Sequence, residues 1–188
     1  MANKVEFGIS KLHVGTFDEV NGVVTLGTPY HQAGAVSFAP ESQSNANEFY
    51  ADNELYFNEY LDGKIEGDLN VAMFDDAFKQ QFMGYKYLET GGLANIKNGD
   101  KKAVYVAFEL KGDREKRRVI FYNGRLGAIS KSYNSTTDSN TPDTETLPIS
   151  FAGVSHNGVC MATFRPTDSG YDTLFTNPTA PEIADESE

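Results

Sequence analysis

Lys64–Met73 reads K-I-E-G-D-L-N-V-A-M, and its alternation decides the fold class. Ile65, Leu69, Val71 and Met73 share one face, while Lys64, Glu66, Asp68 and Asn70 share the other. Successive side chains of a strand point to opposite sides of a sheet, so one face is buried and one is wet. The same alternation puts Val104, Val106, Phe108 and Leu110 on the core side of Ala103–Leu110. In Glu145–Phe151 the core side is Leu147, Ile149 and Phe151. Pro148 has no amide hydrogen and weighs against a central strand there.

Turn signals separate these runs. Asn-Gly or Asp-Gly stands at Asn21-Gly22, Asp62-Gly63, Asn98-Gly99, Asn123-Gly124 and Asn157-Gly158. Such pairs tolerate positive φ at both central residues of a tight hairpin turn. Strands are predicted around them: Glu54–Leu61 before the second and Lys64–Met73 after it, Arg118–Tyr122 and Arg125–Ser130 about the fourth, Pro148–Val154 and Val159–Phe164 about the last. Short strands between repeated turns predict a mainly β chain, an antiparallel β-sandwich or barrel.

One short flanking α-helix is predicted after the alternating strand. Asp75 suits the N-cap and Asp76 the first turn, and Gly84 suits the C-terminal stop. Phe74, Phe78 and Phe82 recur every four residues, a stripe that lies on the sheet as core. Ser132–Thr144 and Pro166–Glu188 are polar and lack periodicity, which predicts mobility. The expected organisation is one β domain over 1–165 and an acidic, flexible C-terminal arm over 166–188, within which Tyr171–Phe175 could dock as a partial strand.

The chain has 188 residues, enough for one domain with a real core, and 13 Phe and 10 Tyr to fill it. Its formal charge is −11, and six acids follow Arg165 with no Lys or Arg among them. An acidic surface repels nucleic acid. The single Cys160 excludes an internal disulfide and fits a reducing compartment. No run is apolar for long enough to span a membrane, and the first residues have no secretory h-region.

The residues offer little chemistry. His13, His31 and His156 have no partner at a recognised metal spacing. Asp138, Asn140 and Asp143 match an EF-hand loop poorly, without its Gly or its final Glu. Asp75 and Asp76 are adjacent, so on a helix they do not face each other. No nucleophile elbow, phosphate loop or dinucleotide fingerprint occurs. No enzyme activity, metal or cofactor is expected. Lys111–Arg118 is the one basic cluster, and Arg114, Lys116 and Arg117 at its tip are either solvated or set against an acidic patch on a neighbouring copy.

Seven segments, in this order, carry a resemblance: N-K-V-E-F-G-I-S at the start, G-A-V-S-F at Gly34–Phe38, E-F-Y-A-D-N at Glu48–Asn53, E-G-D-L at Glu66–Leu69, F-D-D-A-F at Phe74–Phe78, R-R-V-I-F-Y-N at Arg117–Asn123 and T-P-D-T-E-T-L at Thr141–Leu147. Together they resemble the major tail (tail tube) proteins of long, non-contractile-tailed bacteriophages, the siphoviruses of Gram-positive hosts. The resemblance runs from about Val5 to about Val154. It implies a structural virion protein, made in the host cytoplasm, whose hexameric rings stack into a hollow tube around a tape measure protein. Tail terminator and tail-tip proteins are the implied partners at the ends. DNA leaves through the lumen without being held, so a neutral or acidic lining is expected.

On that resemblance the lumen-facing candidates are Glu66, Asp68 and Asn70. The ring-stacking candidates are Glu48, Phe49, Tyr50 and Asp52, in a polar connection Glu41–Asp52 expected as a loop between two strands. Two alternatives stand beside it. One is a carbohydrate-binding or adhesin β-sandwich, against which the absence of Trp counts. The other is the tube protein of a phage-derived particle.

Overall fold

The computed structural model describes residues 8–51, 53–113, 115–133 and 143–184, and only the backbone of Phe49, Ala51, Leu55 and Asn58. The chain runs β1 (Ile9–Val20), β2 (Val23–Leu26), β3 (Tyr30–His31), β4 (Ala35–Ala51), β5 (Glu54–Val71), α1 (Asp76–Met83), β6 (Lys86–Tyr87), β7 (Leu93–Ala94), β8 (Ala103–Leu110), β9 (Arg118–Leu126), β10 (Ser130–Lys131), β11 (Glu145–Phe151) and β12 (Met161–Phe164). All pairings are antiparallel: the main sheet is ordered β2-β1-β8-β9-β11-β5-β4, with β3 beside β1, β10 beside β11 and β12 beside β9. The sheet curls until β4 meets its middle. The Phe38 ring sets its edge on Phe108 of β8 and Phe121 of β9, at 5.9 and 5.5 Å between centroids.

Inside the curl lies one core, and the predicted faces meet there. Val104, Val106, Phe108, Leu69, Val71, Leu147, Ile149 and Phe151 all join it. Phe74 stacks on Phe78, Phe82 meets Phe78 at a tilt, and all three are almost wholly buried in the same core. Met73 is the exception. The strand ends at Val71, and Met73 is 57% exposed.

The centre of the sheet is buried on both faces. Tyr105 and Ala107 of β8, and Ile120 and Tyr122 of β9, form a second core with Phe17, Val154 and Leu174. Tyr105 donates its hydroxyl hydrogen to the Gly27 carbonyl, 2.7 Å away. Residues 166–184 help cover this face through a series of turns. Tyr171 and Leu174 are buried, so the expected boundary at 165 is not a break in packing, and Tyr171–Phe175 docks without forming a strand.

α1 ends as predicted, with Gly84 in the left-handed region (φ 71°) and its N–H on the Lys79 carbonyl. Its start differs. Asp75 holds the N-cap position, yet its carboxylate makes no cap bond and instead accepts from the Tyr30 hydroxyl at 3.1 Å. The buried Glu145 does the tying: it accepts the Phe74 N–H at 2.8 Å and pairs with Lys79 and Lys131, both at 3.2 Å.

Two of the five turn signals are not turns. Asp62-Gly63 lies inside β5, where the register shifts between Ser42/Ile65 and Ser44/Asp62. Asn123-Gly124 lies inside β9; Val104 faces Gly124 and Val106 faces Phe121, so Tyr122 and Asn123 together oppose Tyr105. Asn123 takes φ 55° there. Both pairs mark bulges, because their flanking strands bond to other strands rather than to each other. Hence Arg125 continues β9 and opens no new strand. Asn98-Gly99 closes a turn back to Ile96 without linking paired strands. Asn157-Gly158 is a turn, but the strand after it, β12, pairs with β9 and not β11. Asn21-Gly22 alone joins two partners directly, β1 and β2.

Pro148 does sit in a central strand. Its carbonyl accepts from Gly127 just where β9 has ended, so its missing donor faces that gap and not β5. Gly67 lies opposite Pro40, and a Cβ there would stand 2.7 Å from the Ala39 oxygen and from the Pro40 Cα. Backbone would have to move, so Gly67→Ala is expected to cost about 1–3 kcal/mol. Urea unfolding measures it, and an unchanged midpoint would show that β4 is free to shift there.

Candidate assembly surfaces

Glu41–Asp52 is not a loop. Glu41–Ala51 is the outer half of β4, laddered against β5 from Ala51/Glu54 inward, and the connection at the tip is two residues long. Asn53 takes φ 62° in it, while Asp52 lies outside the described residues. β-prone E-F-Y and L-Y-F runs on both sides of the tip extend the ladder instead of looping out. Every described side chain from Glu41 to Lys64 is exposed, so this half of the hairpin stands off the body as a ribbon. From Ser42 to the tip it is roughly 30 Å long at strand rise.

The ribbon is apolar on both faces. Tyr50 and Tyr60 lie on one face; Phe57 and Leu61 lie on the other; Tyr56 is the extra residue of a bulge. Their exposures run from 47% for Phe57 to 79% for Tyr56. Glu41–Asp62 also carries six acids and no Lys or Arg. An isolated two-stranded ribbon is marginal in water, and one bearing this much exposed aromatic surface marks an interaction site. Tyr56, Phe57, Tyr60 and Leu61 were not singled out from sequence, because Glu54–Leu61 was expected as an ordinary strand. The signal was present: apolar residues at both parities leave no wet face. Tyr50 donates to Glu48 at 3.0 Å; the Phe49 backbone pairs with Phe57, and its side chain lies outside the described residues.

Glu66, Asp68 and Asn70 share the polar face of the inner sheet, as expected. Asn70 is held between Ser37 (3.0 Å) and Thr146 (2.5 Å). Glu66 lies directly opposite Glu41 on β4, with Ser150 and then Arg125 continuing the row across β11 and β9. Two carboxylates opposed across strands repel. Lys64, 2.6 Å from Glu66, offsets that. Glu41, Glu66, Asp68, Ser150 and Arg125 line an open depression of about 620 Å³.

The basic loop is largely engaged within the chain. Asp113, buried, accepts the N–H groups of Glu115 and Arg117 and the Arg117 side chain at 2.5 Å. Arg117 leads in holding its carboxyl below the usual range. Lys116 is exposed, and its carbonyl accepts the Tyr171 hydroxyl at 2.7 Å. Arg114 lies outside the described residues. Arg118 turns inward: its guanidinium stands 3.9 Å from the Tyr171 ring centre and 4.4 Å from that of Phe175. Phe175 also stacks on His13 at 4.4 Å and 15°.

That stack is expected to make the docking of the C-terminal segment depend on pH. Burial lowers the His13 pKa below 6.5; the Lys11 carbonyl opposes this, while His31, Arg118 and Lys11 reinforce it. A base whose folded pKa is lowered stabilises the docked state above its undocked value, and that contribution is lost as pH falls through about 6.5 toward the folded value. Hydrogen exchange at 171–177, corrected for its intrinsic pH dependence, is therefore expected to be faster at pH 5.5 than at 7.5. His13→Gln should abolish the difference. Equal protection at both pH values in the unaltered chain would contradict this.

Glu19, Ser155 and His156 are also close. Ser155 donates its N–H and hydroxyl to Glu19, and His156 Nδ1 stands 3.4 Å from the same carboxylate. Both neighbours converge on the acid, so the histidine faces Glu19 and not the serine hydroxyl. Among the described residues no group of three His, Cys, Asp or Glu could hold a metal, and no helix is long and apolar enough to cross a membrane.

No protein-family model matches the chain, and no curated protein matches it in sequence. Solved structures do match. The cryo-EM structure of the anti-feeding prophage cap, which terminates that particle's tube, superposes with a TM-score of 0.50 at 10% identity, covering 88% of this chain and 96% of that one. The sheath–tube complex of an extracellular contractile injection system in its extended state gives 0.43 at 10% identity, over 86% and 94%. The six-fold symmetrised anti-feeding prophage baseplate gives 0.44 at 9%, over 87% and 97%. The chain therefore has a mostly β fold, one helix on a curled antiparallel sheet, like that of the tube-terminating cap.

Proposed function

We propose that this chain is a structural subunit that polymerises into the tail tube of a phage, as stacked six-membered rings through which DNA leaves. The observation that carries this is the ribbon at 41–62: acidic throughout, aromatic on both faces and without cover in the single chain. A surface of that kind fits a complementary surface elsewhere on another copy. Repeated head to tail, such a contact closes into rings or continues as a filament. The fold shared with a tube-terminating cap supports the choice of tube over other filaments.

In this reading Glu66, Asp68 and Asn70 line the lumen. Three acids of that face, Glu41, Glu66 and Asp68, outnumber Lys64 and Arg125, so a passing duplex meets little to bind. The tape measure protein occupies the lumen before DNA, and terminator and tip proteins close the ends. No chemistry is assigned to the chain.

A second reading has one observation in its favour: the neighbour at TM-score 0.50 is a cap, which ends a tube. Sedimentation velocity over a concentration series separates the two. A tube subunit gives species that grow without limit. A cap stops at one ring. A monomer at every concentration overturns both.

A further inference from the structure

A ribbon that needs cover requires an acceptor, and the body offers one. An apolar groove of about 460 Å³ is lined by Val36, Phe38 and Pro40 of β4 and by Leu110 and Met161, with Arg117 the one charged side chain among its lining residues. Val36 is 54% and Met161 49% exposed, and among the described residues β4 has no strand partner except β5. The groove opens at the curl's seam, where Phe38 meets Phe108.

Resting on the self-assembly reading above, we propose that this groove receives the β4–β5 ribbon of a second copy, with the 111–118 loop of the acceptor meeting the ribbon's acids. Charge complementarity commits the occupant. The ribbon has six acids and no base from Glu41 to Asp62, whereas Lys111–Arg118 has five bases against two acids. Arg117 lines the groove, and the Lys111 N–H donates to the carbonyl of Gly8, another lining residue. Arg117 and Arg118 are already paired with Asp113 and Glu109, so the loop acts mainly through Lys111 and Lys116, both exposed. The chain's own ribbon cannot enter, because Val36–Pro40 continue into it through β4 and the β4–β5 ladder holds it outward. Apolar cover supplies affinity, and the charges set register and association rate. Each copy then carries one ribbon and one groove on different parts of its surface, which makes the contact heterologous.

Disulfide trapping tests this. In a Cys160→Ser background, Val36→Cys and Leu61→Cys in one chain are expected to oxidise to a ladder of covalent oligomers beyond the dimer. An equimolar mixture of the two single-cysteine chains should give one mixed dimer. Val36→Glu with Met161→Glu, both exposed sites, should abolish assembly. Lys111→Glu with Lys116→Glu should slow it several-fold at low salt, and Glu54→Lys with Glu59→Lys should restore part of the rate. Particles that form without the Val36–Leu61 crosslink and tolerate both Glu substitutions would overturn the groove while leaving self-assembly intact. No particles from the unaltered chain at any concentration would overturn both.

Discussion

Replacing Tyr56, Tyr60 and Leu61 together by Ser is expected to keep the chain monomeric at concentrations where the unaltered protein assembles, with its melting temperature almost unchanged. The two effects separate because of where these side chains stand. They are 79%, 69% and 51% exposed, so each substitution should change folding stability by no more than about 0.5 kcal/mol. In an assembled interface the same side chains are its aromatic and aliphatic anchors. A central anchor is worth about 2 kcal/mol or more, roughly 30-fold in affinity, and losing several compounds without adding strictly. Light scattering reads the assembly and calorimetry the fold. Unimpaired assembly would show that the ribbon is not the contact.

Glu145→Ala is expected to be the most damaging change in the fold. The carboxylate is 3% exposed and answers three donors from different elements: the Phe74 N–H ahead of α1, Lys79 in α1 and Lys131 in β10. Removing it leaves two ammonium groups and an amide without their acceptor, which costs about 3–5 kcal/mol for a buried pair. The Phe stripe of α1 then loses its register on the core. Glu145→Gln, which keeps an acceptor for Phe74 but no charge, should cost less.

The cost should also depend on pH. Burial alone would raise the Glu145 pKa, but the Phe74 N–H, Lys131 and Lys79 outweigh it and hold the carboxyl below 4.5. For an acid with a depressed folded pKa, the contribution is complete above the unfolded value and lost as pH falls through the folded one. The gap between the unaltered chain and Glu145→Ala, measured by urea unfolding, should therefore be full at pH 7 and narrow below about pH 4.5. An unchanging gap would mean that packing and not charge is what Glu145 supplies.

Elements whose signal is local were legible in the sequence. The Phe74, Phe78 and Phe82 stripe and the Gly84 stop need only helix geometry, and the Ile65–Leu69–Val71 face needs only a two-residue period. What depended on partners was not. Asp62-Gly63 and Asn123-Gly124 carry the same dipeptide signal as Asn21-Gly22. They became bulges because the ladders of β5 on β4 and of β9 on β8 run on past them instead of turning back. Glu41–Asp52 looked like a loop because its polar residues have no core to face, yet a strand needs only a paired backbone. The inward-turned Arg118 was hidden for a similar reason: its ring partners, Tyr171 and Phe175, come from a distant segment, and Glu109 meets it only once β8 and β9 pair. The lumen candidates fell on one polar face because alternation alone puts them there. Whether that face meets a lumen depends on other copies of the chain.

The most direct test of the account is negative-stain electron microscopy of the purified chain at increasing concentration. It predicts rings with six-fold views that stack into hollow tubes, absent in the Tyr56, Tyr60 and Leu61 variant. Solid fibres without a lumen, or a dispersed monomer at every concentration, would contradict it.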